Sequence, residues 1–222
     1  MFYLFHHIPK TAGTSVRVAL SKMFQVHEDY HKNISREEME RYVKDRINLS
    51  ELTERDILCG HWNIIGGRLW EKYPEIDDVP VRKIAFFRPP LDTALSGVRF
   101  NVRNGHISDQ RANEMLLKRV NYFATTLGCD SENYRQRIDS YWHVGLTSRV
   151  QDSMDFIADT ISADRVKVAR RNVTDPASVQ FSDAAIAEFK ERSKFDQEIY
   201  DYAASVANTA YDAIRQSAVE NQ

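Results

Sequence analysis

The sequence has few cysteines and no long apolar run. Its 222 residues include two cysteines, Cys59 and Cys129, which fit reduced thiols in a cytoplasmic protein rather than a disulfide framework. No apolar stretch approaches the roughly 20 residues that a membrane-spanning helix needs. The first ten residues lack a basic start, and Pro9 and Lys10 interrupt their apolar stretch early. We therefore expect no signal peptide, no transmembrane segment and a cytoplasmic location.

A strong charge of one sign is also missing. The 30 basic and 32 acidic residues give a formal net charge of −2, so the overall charge does not favour nucleic acid or an anionic membrane as a partner. We find no internal repeat and no low-complexity segment. Hydrophobic residues make up 42% of the chain and charged residues 28%, which is ordinary for a globular protein. The length predicts a single domain over residues 1–222.

The hydrophobic pattern alternates between strands and helices. The predicted strands are 2–6, 56–60, 82–87, 143–146 and 165–169. The predicted helices are 14–24, 36–47, 91–103, 109–127, 131–140, 148–161, 182–192 and 194–217. This alternation predicts an α/β fold in which helices cover both faces of a parallel sheet, with a helical C-terminal part. In such sheets, ligands bind at the carboxyl ends of the strands.

The segment His-Ile-Pro-Lys-Thr-Ala-Gly-Thr-Ser over residues 7–15 connects the first strand to a helix. Small residues allow backbone N–H groups to converge on an anion, the helix N-terminus adds partial positive charge, and two hydroxyls and a lysine add donors. The segment therefore predicts a phosphate cradle. Its candidate ligand-binding residues are Lys10, Thr11, Ala12, Gly13, Thr14 and Ser15.

The cradle does not match the P-loop of nucleotide kinases. That motif places its lysine after the second of two glycines, whereas Lys10 precedes Gly13, which is alone in this loop. No acidic residue is clearly placed after the second predicted strand to hold a magnesium ion. ATP hydrolysis is therefore disfavoured, and an atypical P-loop nucleotide kinase remains an alternative.

The order Pro-Lys-Thr-Ala-Gly-Thr-Ser resembles the 5′-phosphosulfate loop of sulfotransferases that use 3′-phosphoadenosine 5′-phosphosulfate (PAPS). With His7 and Ile8 included, it is most similar to the loop of the carbohydrate sulfotransferases, which include the heparan-sulfate enzymes and their bacterial relatives. A second motif, residues 84–96, ends a strand in Arg88 and places Ser96 eight positions later, the spacing of the family's 3′-phosphate site. Arginine offers a planar fork of donors to phosphate, and the hydroxyl offers one more.

A third motif, residues 56–62, is a short apolar strand that ends in Gly60 and His61. Heparan-sulfate-type enzymes have a Gly-His at a similar place, and the resemblance implies that His61 is the catalytic base. The alternative is a histidine with a purely structural role. The same resemblance gives Lys10 a catalytic role beside its binding role, because it would neutralise charge on the departing phosphate oxygen.

Two C-terminal segments, 144–154 and 195–203, resemble the family more loosely. Thr93 stands where many relatives carry a second arginine. The pair Arg170 and Arg171 stands where the adenine-side loop is expected, and Arg171 is the candidate cofactor contact.

The resemblance implies a P-loop-like three-layer fold and sulfuryl transfer from PAPS, with 3′,5′-adenosine bisphosphate (PAP) as product and no metal. The acceptor would be a small molecule or a carbohydrate, with an anionic acceptor left open. A non-catalytic module that binds nucleotide or glycan is the remaining alternative. The sequence identifies neither the acceptor nor the oligomeric state.

Two other patterns allow more than one interpretation. His27 to His31 fits the His-Glu-x-x-His zinc pattern, but no third ligand is evident, so a strand or surface turn is favoured, with a role in the acceptor pocket left open. A basic run is either a solvated helix face or a groove for an anionic acceptor. The run comprises Arg99, Arg103, Arg111, Lys118 and Arg119.

Overall fold

A computed structural model describes residues 1–31, 35–169 and 179–220. Within these residues, five parallel strands form one sheet in the order β2-β3-β1-β4-β5. The strands are β1 (Phe2–His6), β2 (Gln25–Asp29), β3 (Asp56–Gly60), β4 (Val81–Phe87) and β5 (His143–Leu146). The register pairs His6 with Gly60 on one side and with Ala85 on the other, so the chain segments after β1, β3 and β4 emerge at the same edge.

Ten α-helices lie in the same described ranges. They are α1 (Gly13–Leu20), α2 (Arg36–Lys44), α3 (Leu69–Lys72), α4 (Pro90–Arg103), α5 (Ala112–Leu117), α6 (Tyr122–Leu127), α7 (Tyr134–Asp139), α8 (Val150–Thr160), α9 (Asp183–Arg192) and α10 (Lys194–Glu220). Short 3-10 turns cover 49–51, 109–111 and 147–149. No helix in the described part is both long and apolar enough to cross a bilayer.

Alternate side chains of the strands face two different helical layers. Tyr3 and Phe5 of β1 pack in one cluster with residues of α1 and α8. On the opposite face, Ala85 and Phe87 of β4 pack with residues of α6, α7 and α10. This period of two follows from the pleat of a strand. The predicted fold class is confirmed: a central parallel sheet lies between helical layers, with a helical C-terminal part.

Strand β2 was not predicted, and its position explains why. Strands β1 and β3 are buried along their whole length and read as apolar runs. Strand β2, Gln-Val-His-Glu-Asp, lies at the sheet edge and is buried only at Asp29. Its polar sequence carries no apolar signal of a strand. The preceding helix, predicted over 14–24, ends earlier, at Leu20.

The predicted strand at 165–169 is wrong. Val166 and Val168 do pack against the core, but no strand in the described ranges pairs with them. Instead, the Gln151 side chain on α8 donates to the Val166 carbonyl oxygen at 3.1 Å and accepts from the Val168 N–H at 2.9 Å. A single side-chain amide thus satisfies the backbone groups that a neighbouring strand would otherwise satisfy.

The helix predicted over 109–127 is also interrupted. The chain forms a 3-10 turn, then α5, and then breaks before α6, where Asn121 adopts a left-handed backbone conformation with φ of 54°. Asparagine tolerates this conformation better than most residues, so it ends one helix and starts another.

Candidate functional site

The cradle is a tight turn that ends at the start of α1. The Thr11 hydroxyl donates to the Ile8 carbonyl oxygen at 2.8 Å, and the Ser15 N–H donates to the Ala12 carbonyl oxygen at 2.9 Å. Lys10 and Ala12 both have left-handed backbone conformations, with φ of 73° and 66°. Such conformations cost free energy in residues other than glycine, and they cluster at ligand-binding sites. The turn brings residues 10–15 to the carboxyl end of β1.

Gly13 is required by the close approach of His7. A Cβ atom at position 13 would overlap the imidazole ring of His7. The absence of a side chain at Gly13 therefore lets the ring pack directly against the first turn of α1.

Three arginines lie near enough to Lys10 for their charges to act on it, and one of them, Arg103, shares the Phe100 ring with it. The ammonium of Lys10 lies over the Phe100 ring, 4.1 Å from its centroid. Burial, followed by the positive charges of Arg119, Arg103 and Arg88, lowers the pKa of Lys10 to about 8. Among the side chains that the structure describes, none of these four cations forms an ion pair. A concentration of positive charge without a carboxylate is the electrostatic character of an anion-binding site.

A second glycine, Gly97, makes room for the Arg119 side chain near this group. Its guanidinium packs against Gly97 on α4, where a Cβ atom would overlap it, and burial lowers its pKa below the usual value. The basic run therefore divides. Arg111 and Lys118 bind Glu114 on the exposed surface, whereas Arg103 and Arg119 join Lys10. Both arginines belong to the basic run that the sequence shows, but no sequence signal distinguishes them from its other members.

Arg88 and Ser96 occupy the start of the β4–α4 connection. Arg88 is the first residue after β4, and its carbonyl oxygen accepts a hydrogen bond from the Thr93 hydroxyl at 3.3 Å. Ser96 is half-buried on α4, next to Gly97. Arg88 follows β4 at the same edge of the sheet as the cradle, and its charge acts on Lys10. The Thr93 hydroxyl is used inside the turn.

His61 follows β3 and belongs to a cluster of rings beside the cradle. Its Nε2 lies 3.1 Å from Nδ1 of His7, and the same Nδ1 lies 3.1 Å from the Tyr30 hydroxyl. Burial, together with the charges of His31 and Arg17, lowers the pKa of His61 to about 4. His61 is therefore uncharged near neutral pH and has a lone pair with which to accept a proton. The sequence pointed to His61, but nothing in it indicated that Tyr30 would join the cluster.

The zinc-like pattern lies on an extended segment and not on a helix. His27 is on β2 and hydrogen-bonds Asp56 at 2.6 Å, while His31 hydrogen-bonds Asn63 at 2.9 Å. Four residues along a strand span about 13 Å, too far for two rings to bind one ion. Within the described ranges, no group of three or more His, Cys, Asp or Glu side chains is arranged to hold a metal.

Arg170 and Arg171 lie outside the described residues, so the adenine-side contact stays a prediction.

The Trp62 ring is completely buried, and its Nε1–H donates to Asp29 at 2.8 Å, which leaves the ring no face for a ligand.

Solved structures similar to this one are sulfotransferases. The sulfotransferase of Alicyclobacillus acidocaldarius matches with a TM-score of 0.51 and 12% sequence identity, over 95% of this chain and 98% of that chain. The mouse sulfotransferase SULT7A1, solved in complex with PAP, matches with a TM-score of 0.46 and 11% identity, over 89% of this chain and 66% of its own. No protein-family model and no curated protein sequence matches the chain. The similarity to the Alicyclobacillus structure shows that the chain has a sulfotransferase-like fold.

Proposed function

We propose that this protein is a PAPS-dependent sulfotransferase that moves a sulfuryl group to an acceptor hydroxyl. The observation that carries the proposal is the group of four cations around the cradle, Lys10, Arg88, Arg103 and Arg119, which no described carboxylate neutralises. PAPS carries a 5′-phosphosulfate and a 3′-phosphate, so it offers two separate anionic groups to such a cluster.

In this proposal the cradle and the β4–α4 connection each bind one of the two anionic groups of PAPS. Lys10 and the residues Thr11, Ala12, Gly13, Thr14 and Ser15 hold the 5′-phosphosulfate, helped by the N-terminus of α1. Arg88 and Ser96 hold the 3′-phosphate, because their spacing matches that site in the family the sequence resembles. Arg103 and Arg119 add long-range attraction and raise the local concentration of the donor.

The reaction is an in-line displacement at sulfur. The acceptor oxygen forms a bond to sulfur, the bond between sulfur and the 5′-phosphate oxygen breaks, and the hydroxyl proton passes to His61. The electron pair of the broken bond stays on the phosphate oxygen, where Lys10 offsets its charge. The products are a sulfate ester and PAP. Anionic PAPS beside His61 would raise its pKa towards the range in which a base works well.

A carbohydrate or glycolipid hydroxyl is the acceptor class that we propose, in a cytoplasmic setting. The support is the similarity of loop 7–15 to the loop of carbohydrate sulfotransferases. A lipid-linked sugar, an oligosaccharide or a small metabolite fits that setting, and the cationic Arg103 permits an anionic acceptor.

Thermal unfolding with three ligands tests the proposal. A ligand that binds only the folded state raises the free energy of unfolding, by about 2.7 kcal/mol when its concentration is 100 times Kd, and so it raises Tm. We expect PAP to raise Tm more than AMP at equal concentration, with ATP and magnesium giving a smaller shift than PAP. A larger shift with ATP and magnesium would favour the atypical kinase. No shift with any of the three would contradict nucleotide binding altogether.

The affinity for PAP is expected to fall as pH rises above about 8. The Lys10 cation is present below its pKa of about 8 and is lost above it, so the free protein at pH 9.5 must take up a proton when it binds PAP. A charged hydrogen bond contributes about 1.5–3 kcal/mol, so we expect PAP to bind about tenfold more weakly at pH 9.5 than at pH 7.5. Titration calorimetry at the two pH values measures this change.

The matched control is Lys10→Arg, because arginine keeps its charge throughout this range. Its affinity for PAP is expected to depend much less on pH than that of the wild type. An equally steep fall in the arginine variant would assign the pH dependence to another group.

A further inference from the structure

We propose that His7 is a positioning residue that holds His61 in one tautomer, with the proton on Nε2 and the lone pair on Nδ1. This inference rests on the proposed role of His61 as the base. The Nδ1 atom of His61 would then be the atom that takes the acceptor proton.

The His7 ring is held on several sides. It is buried, it lies nearly parallel to the Phe5 ring at 5.4 Å between centroids, and it packs against Gly13. Its Nδ1 is the shared partner of the Tyr30 hydroxyl and of His61 Nε2, each at 3.1 Å. His7 is therefore a fixed contact between the cradle and the base.

The proton positions follow from the chemistry of these partners. Burial lowers the pKa of both histidines, so each ring is uncharged and carries a single N–H. Burial raises the pKa of Tyr30, so its hydroxyl keeps its proton and is available as a donor to His7 Nδ1. In the proposed arrangement the Tyr30 hydroxyl and His61 Nε2 share the single lone pair of Nδ1 in a three-centre hydrogen bond, which agrees with the 3.1 Å length of both contacts. A lone pair on His7 Nδ1 requires the proton of that ring to lie on Nε2, the atom that lies against Gly13.

The cradle favours the same arrangement. The Cδ2–Nε2 edge of His7 lies against Gly13, so a proton on Nε2 places partial positive charge beside the anion-binding turn, whereas a lone pair would place partial negative charge there. With His7 Nδ1 as an acceptor, His61 Nε2 must be the donor of their hydrogen bond. When His61 takes a proton on Nδ1, this bond becomes charge-assisted, and no other proton has to move.

Nuclear magnetic resonance of the full chain labelled with ¹⁵N-histidine tests the inference directly, because two-bond proton–nitrogen correlations distinguish the ring tautomers. The variants His7→Asn and His61→Gln assign the two rings. We expect His61 with a protonated Nε2 and a bare Nδ1, and the same tautomer for His7. A protonated Nδ1 on His61, or shifts averaged between two tautomers, would overturn the inference.

Two substitutions at position 7 separate positioning from packing. His7→Phe keeps a ring against Phe5 and Gly13 but removes the acceptor, so the His61 signals should become averaged. His7→Asn offers an amide oxygen near the position of Nδ1, so the single tautomer should return. An unchanged His61 tautomer in His7→Phe would overturn the proposal.

A PAP titration of the same samples reports on the cradle. Loss of PAP binding in both variants, with no difference between their His61 tautomers, would make His7 a structural support and also overturn the proposal. If the wild type does not bind PAP, the sulfotransferase assignment fails, whereas the tautomer of His61 is still read independently. The two failures are therefore distinguishable.

Discussion

Replacing Lys10 by alanine is expected to lower the turnover of PAPS by about 100- to 1000-fold, the usual effect of removing one donor that stabilises developing negative charge. The ammonium of Lys10 is the cation that the cradle itself supplies, in a turn whose backbone is held by the Thr11–Ile8 hydrogen bond. Its loss leaves the departing phosphate oxygen without the charge that offsets it. PAP released from PAPS, measured with a panel of sugar acceptors, gives the rate.

Lys22→Ala is the matched control for this experiment. Lys22 is exposed just after α1, and its removal changes the net charge by the same amount. We expect its rate to stay close to that of the wild type. A Lys10→Ala variant as active as Lys22→Ala would remove the cradle lysine from the mechanism.

Replacing Asp29 by alanine is expected to lower the free energy of unfolding by about 3–5 kcal/mol, the usual cost of removing one partner from a buried ion pair. The Asp29 carboxylate is buried and accepts from Lys72 Nζ at 2.6 Å, Trp62 Nε1 at 2.8 Å and the Tyr73 hydroxyl at 2.9 Å. Lys72 is buried with it, and its pKa is already lowered by burial. Without Asp29, the three donors lose their acceptor inside the protein.

Urea denaturation of Asp29→Ala and of a surface control measures this effect. Asp152→Ala removes a carboxylate that binds Arg149 at 2.7 Å on the exposed surface, and it should cost less than about 1 kcal/mol. A similarly small loss for Asp29→Ala would mean that water replaces the carboxylate. Because Asp29 also anchors the segment that follows His61, we expect catalysis to weaken along with stability.

The parts of the fold that the sequence predicted are those buried on both faces. Strands β1, β3 and β4 appear as apolar runs because helices cover both sides of the sheet centre. The sequence does not predict strand β2, because this strand lies at the edge of the sheet and its side chains are mostly polar. The apolar pattern at 165–169 predicts a strand because its valines do pack inward. The Gln151 side chain, which bonds the backbone of this segment, has no sequence signature.

The candidate site likewise contains residues that the sequence predicts and residues that it does not. Lys10, His61 and Arg88 are predicted from motifs that resemble those of a known family, and the structure places each of them after a strand at one edge of the sheet. Arg119 could not be distinguished from solvated arginines, because its position depends on the packing of α5 against α4 and on the space above Gly97. These are tertiary contacts between segments far apart in the chain, and no local pattern encodes them.

We propose that the cation cluster recognises a nucleotide with both a 5′- and a 3′-phosphate, with Arg88 at the 3′ side. The most direct test is calorimetric titration of PAP and AMP, which differ by the 3′-phosphate, into the wild type and Arg88→Ala. A charge-assisted contact contributes about 1.5–3 kcal/mol, so we expect PAP to bind the wild type at least about tenfold more tightly than AMP. Arg88→Ala should remove most of that preference while changing the affinity for AMP little. Equal affinities for PAP and AMP in the wild type would show that the cluster does not recognise the 3′-phosphate, and a preference that survives in Arg88→Ala would show that Arg88 does not bind it.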